Sequence, residues 1–361
     1  MSDQTLDILR VLTSVPTAPF REQAVTRRVP GWARKALGRK VRVRRLRSGL
    51  ILEYLGAGPG PALALAAHLD HPGFHLDKVT ARGCRATLQG GHPRELLEGC
   101  KVEAFPALPR GNRPAAIGVL GPAPASGDAF SVTWTLAPQR GQKLDFAILA
   151  LTPCAVEKGW VRSRSIDDLM GAAIALEALR RAIRSRIRVN LKVLLHRAEE
   201  VGFVGALDFA RQGYASPDDS IISIEASRQL PGARPGRGPV IRLGDKACMF
   251  DPNLIALLDA AAARLKARRI RTQRRRLIGG TCEATAYLAH GYETAGVALP
   301  LVNYHNGIGA KKVAPEMIRL SDALGCVALL LEAAGLFPAA ALRGRLRQRL
   351  AGIHRRYDRC L

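Results

Sequence analysis

The stretch VNLKVLLHRAEEVGFVGALDFARQGYASPDDSIISIEA, residues 189–226, decides the fold. Residues 189–196 form an apolar, partly β-branched run, 203–212 carry a helical period, and 220–226 form a second apolar run. Strand, helix, strand in that order is a crossover joining parallel strands. Toward the C-terminus the alternation continues as strand 240–243, helix 252–268, strand 270–278, helix 281–290, strand 294–299 and helix 315–335. Toward the N-terminus lie a helix over 168–184 and ALALAAHLD at 62–70, a continuous apolar run that suits a strand covered on both faces. Helical spacing also marks 3–15 and 21–37, the second interrupted at Pro30, and short β runs occupy 40–46 and 50–55. Alternating β and α elements imply an α/β sandwich with a largely parallel sheet.

Residues 74–155 have a different character: short alternating runs separated by Gly, Pro and Asn, with no helical period, as in a small all-β unit. The chain therefore divides into a parent α/β domain (1–73 and 156–337), a β insertion (74–155) and a basic tail (338–361). In the tail, Leu342, Leu346, Leu350 and Ile353 share a helical face, with arginines at 343, 345, 347 and 349 around them. At 361 residues, two packed units are expected. The net charge is +25, but only 11 of the 55 basic residues are lysine. Such an arginine skew is what a GC-rich coding bias leaves on a solvated surface. The arginine-rich runs at 39–48 and 264–276 lack interleaved aromatics for base stacking, so no specific nucleic-acid partner is expected. Seven scattered cysteines without a CxxC pair argue for a reducing cytoplasm and against a disulfide framework or a thiolate zinc site. No stretch reaches the roughly 18 apolar residues of a membrane span, and the N-terminus has no secretory pattern.

Metal-type ligands stand where the expected strands end: His68 and Asp70 in AAHLDHPGF, Asp167 and Asp168 in SIDDLMG, Glu199 and Glu200 in HRAEEVGFVGA, Glu225 in ISIEAS and His305 in VNYHNG. In open α/β sheets ligands gather outside the carboxyl ends of strands, so these segments can converge on one crevice. Taken singly, a histidine at a strand end is more often a hydrogen-bonded residue, and tandem acids commonly cap helices. Their order and neighbours carry the case.

HxD, then IDDxxG, then AEEVGFVGA, then a strand-borne acid, GGT and a final His together resemble the glutamyl aminopeptidase and deblocking aminopeptidase family of dinuclear metallopeptidases. The resemblance spans about 6–335 and includes a β insertion directly after HxD, where TLQGGHPRELLEGCKVEAF at 87–105 is similar to the family's GG-then-strand segment. It implies a phosphorylase/hydrolase-like three-layer sandwich with a largely parallel mixed sheet and a small β-barrel insertion. It further implies that His68 and His305 bind one metal each, that Asp167 bridges, that Asp168 caps the helix, and that Glu200 and Glu225 give one carboxylate to each metal. Asp70 would fix the His68 tautomer, and Glu199 would be the general base for a water acidified between two divalent cations, zinc first, with cobalt or manganese as alternatives. A cytoplasmic homo-oligomer cleaving N-terminal residues from peptide or aminoacyl substrates is the implied protein.

Four positions depart from the family pattern. Residue 225 is Glu where these aminopeptidases carry Asp, a choice more usual among carboxypeptidases and N-acyl amino-acid deacylases, which stand as the alternative chemistry. GGTCEA replaces GGTDA, so Cys282 or Glu283 occupies an acidic position; His71 follows Asp70 where an acid is common; and no glutamate follows Asn306. An alternative of another class is a catalytically silent basic binding protein. The remaining histidines, 71, 75, 92, 196, 290 and 354, are expected to be structural.

Overall fold

The computed structural model describes residues 4–58, 60–309, 312–337 and 342–358. The chain starts with helices α1 (Gln4–Leu12) and α2 (Gln23–Leu37) and the hairpin β1 (Arg42–Leu46) and β2 (Gly49–Leu55), then enters β3 (Leu63–His68). Every residue of β3 is buried, as its unbroken apolar run requires. Six strands follow: β4 (Gly73–Asp77), β5 (Gly83–Gln89), β6 (Lys101–Phe105), β7 (Ala116–Leu120), β8 (Ala129–Leu136) and β9 (Phe146–Leu149). They close into an antiparallel barrel, β4-β5-β8-β7-β6-β9. The alternation of buried and exposed residues in β5 and β8 fills it with a core of its own that includes Phe74, Val102, Phe130 and Leu149.

The chain returns through β10 (Ala155–Glu157) and β11 (Trp160–Ser163) to α3 (Ile166–Arg184), β12 (Asn190–His196), α4 (Val204–Arg211) and β13 (Ser220–Arg228). Then come β14 (Val240–Arg242), α5 (Pro252–Ala267), β15 (Gln273–Arg275), α6 (Glu283–Ala289) and β16 (Glu293–Leu301). The hairpin β17 (Gly307–Ile308) and β18 (Lys312–Val313), β19 (Glu316–Arg319), α7 (Leu320–Leu336) and α8 (Leu342–Tyr357) complete it. The large sheet has eight strands in the order β1-β2-β12-β3-β13-β16-β14-β15. Its centre, β12-β3-β13-β16, is parallel throughout, whereas β2 and β14 join it antiparallel. The sheet is therefore mixed, with a parallel heart. Helices α1, α2, α3, α5 and α7 share one hydrophobic core with one face; α4 and α6 bury Phe209 and Tyr287 against the other.

Two local expectations are corrected. Pro30 does not interrupt α2, because the buried face Val25, Val29, Ala33 and Leu37 holds the helix together despite the one hydrogen bond proline cannot donate. The helix expected over 315–335 begins only at Leu320; residues 316–319 form β19, which pairs with β11. Glu316 and Ile318 are its buried alternates, a period of two that the longer helical pattern masks. In α8, Leu350 and Ile353 are exposed. The rest of the tail's expected apolar face, Leu342 and Leu346, and the arginines at 343, 345, 347 and 349 have side chains outside the described residues, as do residues 338–341 and 359–361. Among the described residues no helix is long and apolar enough to cross a membrane.

Candidate metal centre

The four central parallel strands end on the same side, and the loops leaving their carboxyl ends, together with the start of α3, bring the expected residues to one cleft. His68 is the last residue of β3 and pairs in register with His196 of β12, beyond which Glu199 and Glu200 follow. Glu225 lies near the end of β13, and His305 lies in the turn after β16. Asp167 comes from the first turn of α3, where the backbone is not yet helical (φ −79°, ψ 104°), so its side chain is free to enter the cleft. Asp168 turns back instead: its Oδ1 accepts the Gly171 N–H at 3.2 Å, capping the helix as expected. A Cβ at residue 171 would fall 2.3 Å from that carboxylate. This contact gives the D-x-x-G spacing a physical reason.

His68 Nε2 is 3.5 Å from Asp167 Oδ1 and 3.7 Å from Glu199 Oε2. On the far side of Asp167, His305 Nε2 is 3.7 Å from Asp167 Oδ2 and 3.3 Å from Glu200 Oε2. Ligand atoms of His68, Asp167 and Glu225 lie within 4.8 Å of one another, and so do those of Asp167, Glu200 and His305. His68, Glu199 and Glu200 form a third such group. Asp167 is thus common to two histidine-led groups. Asp70, fully buried, accepts the backbone N–H of Glu199 at 2.9 Å and of Glu200 at 3.0 Å, and its Oδ1 stands 3.5 Å from His68 Nδ1. It fixes the tandem glutamates and the imidazole together.

Burial pushes the Glu199 and Glu200 carboxyls well above their ordinary range; His68 opposes this in both, and neighbouring carboxylates add to it. Burial raises Glu225 to about 7. Burial alone would pull His68 down, but Glu199, Asp167 and Asp70 outweigh it and hold the imidazole well above its usual value. Asp70 moves the other way: His68 and the two backbone N–H groups outweigh burial and lower it. Asp167 Oδ1 and Glu200 Oε1 are buried without a hydrogen-bond partner. A crowd of buried carboxylates with orphaned oxygens, flanked by two imidazoles, is short of positive charge, and nitrogen and oxygen donors of this kind suit zinc and similar divalent cations. The residues fit two ions sharing one carboxylate.

Sequence reading missed three contributors. Glu316, buried in β19, accepts the backbone N–H of Asp167 (3.0 Å) and of His305 (2.9 Å), tying the two loops together. Arg242 of β14 is 3% exposed, lines the cleft, and has an Nε without a partner. His92 of the barrel reaches the backbone of His305. Of the departures, Cys282 is buried in the cleft wall, where burial drives its thiol upward. Glu283 turns away to His196 Nδ1 at 2.6 Å. His71 lies behind the cleft, its Nδ1 2.6 Å from the Asp167 carbonyl and its Nε2 3.0 Å from Asn306 Oδ1. His75 and His290 bond backbone carbonyls.

A three-layer α/β sandwich on a mixed sheet, with an inserted barrel and two histidine-led groups of ligand-type side chains that share Asp167, is the class these observations define. The model of the M42 glutamyl aminopeptidase family matches residues 141–325, just over half of the chain. The chain belongs to that family of metal-dependent peptidases. Solved structures show the same fold. The chain resembles aminopeptidase APDkam598 from the archaeon Desulfurococcus kamchatkensis with a TM-score of 0.75 at 21% identity, over 91% of this chain and 94% of that one. It resembles the TET aminopeptidase of a marine-sediment Thaumarchaeota archaeon with 0.77 at 18%, over 92% and 97%. The TET1 peptidase of Pyrococcus horikoshii, which can assemble into a tetrahedron or a large octahedral shell, matches with 0.71 at 20%, over 91% and 99%.

Proposed function

We propose that the cleft is an aminopeptidase site holding two divalent cations, one by His68, Asp167 and Glu225 and the other by Asp167, Glu200 and His305. The observation that carries this reading is the sharing of Asp167 between the two groups. When bound, the cations, zinc first and cobalt or manganese as alternatives, supply Lewis acidity for the scissile carbonyl and acidify the attacking water. Glu199 accepts the water's proton and delivers it to the leaving amine; burial and the facing carboxylates, which raise its affinity for a proton, suit it to that role. Asp70 holds Glu199 and His68 in place for this transfer. The acidic wall of the cleft attracts the substrate's free α-amine. Arg242 lines the same cleft beside the Cys282 thiol, within electrostatic reach of Glu225 and Asp245, and its unpartnered Nε can meet an acidic side chain of the first residue.

The same reading takes 1–73 with 156–337 as the catalytic unit and 74–155 as the insertion, which the barrel's separate core supports. It takes the protein to be a homo-oligomer, in line with the assembly of the TET1 peptidase. It also places the protein in the cytoplasm, supported by the six described cysteines, all free. The Glu225 departure favours one second reading, a carboxypeptidase or N-acyl amino-acid deacylase whose substrate carboxylate sits on Arg242. Metal analysis of the purified protein, with a panel of glutamyl, leucyl, N-acetyl and C-terminal substrates, tests both. Two ions per chain and preferential cleavage of free glutamyl or aspartyl N-termini, lost in Arg242→Leu, are expected. Cleavage confined to N-acetyl or C-terminal substrates would replace the aminopeptidase reading with the second.

A further inference from the structure

The loop that follows β5 of the barrel touches the metal centre at its Glu200–His305 end. Gly91 presents its carbonyl to His305 Nδ1 at 2.8 Å, which fixes the proton there and leaves Nε2 for a ligand role. Next in the chain, His92 places its Nδ1 3.0 Å from the His305 carbonyl. A carbonyl only accepts, so Nδ1 of His92 carries the proton. The His92 ring is buried and stacks on Phe74 in the barrel wall, with centroids 6.2 Å apart. A Cβ at residue 91 would lie 2.7 Å from His305 Nδ1, and one at residue 90 would lie 3.1 Å from the Glu200 Cβ, where φ is also +86°. The two glycines therefore let the barrel press on His305 and Glu200, the unshared ligands of one ion. His305 has φ of +50°, between Asn303 at +60° and Asn306 at +64°. Three non-glycine residues in the left-handed region need outside anchors to stay there. The His68 and Glu225 side chains, by contrast, are backed from within the parent domain, by Asp70 and Ser223, whereas Asp70 holds only the backbone N–H of Glu200.

We infer that the barrel, through Gly90, Gly91 and His92, is a positioning element for the Glu200–His305 half of the metal centre and not for the His68–Glu225 half. His92 acts through His305, holding its carbonyl so that the ring keeps its aim. The 90–92 segment of the inserted unit thereby sets the affinity of one of the two ions. This rests on the two-cation reading above.

The test is titration of the metal-free full-length chain with Co(II), followed by calorimetry and visible absorption. The parent protein is expected to take up two ions. His92→Phe keeps the ring and its stacking on Phe74 but removes the N–H, and should weaken one ion by roughly 10- to 100-fold while leaving the other unchanged. The weakened ion should be the one lost in Glu200→Gln. His92→Asn, whose amide N–H can take the place of Nδ1, should restore it, and Gly91→Ala should repeat the defect. Equal weakening of both ions, or no change in either His92→Phe or Gly91→Ala, overturns the inference while leaving the two-cation reading intact. A parent that binds fewer than two ions removes that reading and this inference with it.

Discussion

His68 and His305 flank the same carboxylate and are held in opposite ways. The first ends a fully buried strand in the parallel heart of the sheet and backs onto the Asp70 carboxylate. The second sits in a left-handed turn, backs onto the neutral carbonyl of Gly91, and depends on Glu316 and the barrel for its backbone contacts. Their electrostatics diverge accordingly. Carboxylates overcome burial and raise His68, while burial outweighs Asp167 and drives His305 down to about 3. The tandem glutamates divide along the same line, Glu199 toward His68 and Glu200 toward His305. One half of the centre is built by the sheet, the other is assembled from three distant segments, and they should fail differently.

The largest effect should come from separating the two glutamates. Glu199→Gln preserves size and reach but cannot accept the water's proton, so turnover should fall by about 10²- to 10⁴-fold with metal content still near two per chain. Glu200→Gln should lose one ion first and activity as a consequence, with partial recovery in excess metal. Metal stoichiometry and turnover measured side by side decide this. Reversed phenotypes would exchange the two roles, and a fully active Glu199→Gln would remove general-base hydrolysis from this cleft.

The sheet-built half was legible in the sequence because strand ends announce themselves: an apolar run stops and a ligand follows, as at His68, at Glu225, and at Glu199 just past β12. His305 was legible as a residue past an expected strand, but its pairing with one ion came only through the family resemblance, since nothing local distinguishes YHN from any polar turn. Its supports were not legible at all. Glu316 lies in a four-residue strand whose alternation merges into the helix of α7, and His92 becomes a partner only once a barrel folded from separate short runs closes beside the turn that holds His305. Arg242 is one arginine among many; only its burial and its place in the cleft wall set it apart. Local period reveals what one element does, whereas these residues act between elements.

A second, smaller effect concerns the metal-free protein and has opposite signs on the two sides. Burial, with Asp167 and Glu283, raises Glu225 from 4.5 to about 7, so the folded state holds a proton the unfolded chain releases. Its contribution to stability is full below pH 4.5 and is lost as pH rises through about 7, on the order of 3 kcal/mol for a shift of this size. His305 is depressed from 6.5 to about 3, so its contribution is present above pH 6.5 and is lost as pH falls toward 3. Thermal unfolding in the presence of chelator between pH 4.5 and 8 should therefore show Glu225→Gln gaining on the parent as pH rises. His305→Gln should gain as pH falls. Parallel shifts at all pH values would show that neither group titrates differently in the folded state.

The smallest effect is expected where the barrel meets the parent domain away from the metal centre. Arg21, in the loop before α2, pairs with Asp145 just before β9, with its Nη2 3.2 Å from Oδ1. The two side chains are 25% and 31% exposed, so water already screens the pair, and exposed pairs of this kind contribute about 0–1 kcal/mol. Arg21→Ala should lower the melting temperature by no more than that contribution implies and leave metal content and turnover unchanged, because no ligand or backing group touches it. Its value lies in the contrast with His92, which bridges the same two units. If barrel docking in general governed the His305 half, loosening it at Arg21 would weaken the same ion that His92→Phe weakens. If the control resides in residues 90–92, Arg21→Ala loses at most a little stability and binds both ions as the parent does, and the two substitutions together should give the metal defect of His92→Phe with the stability losses simply added.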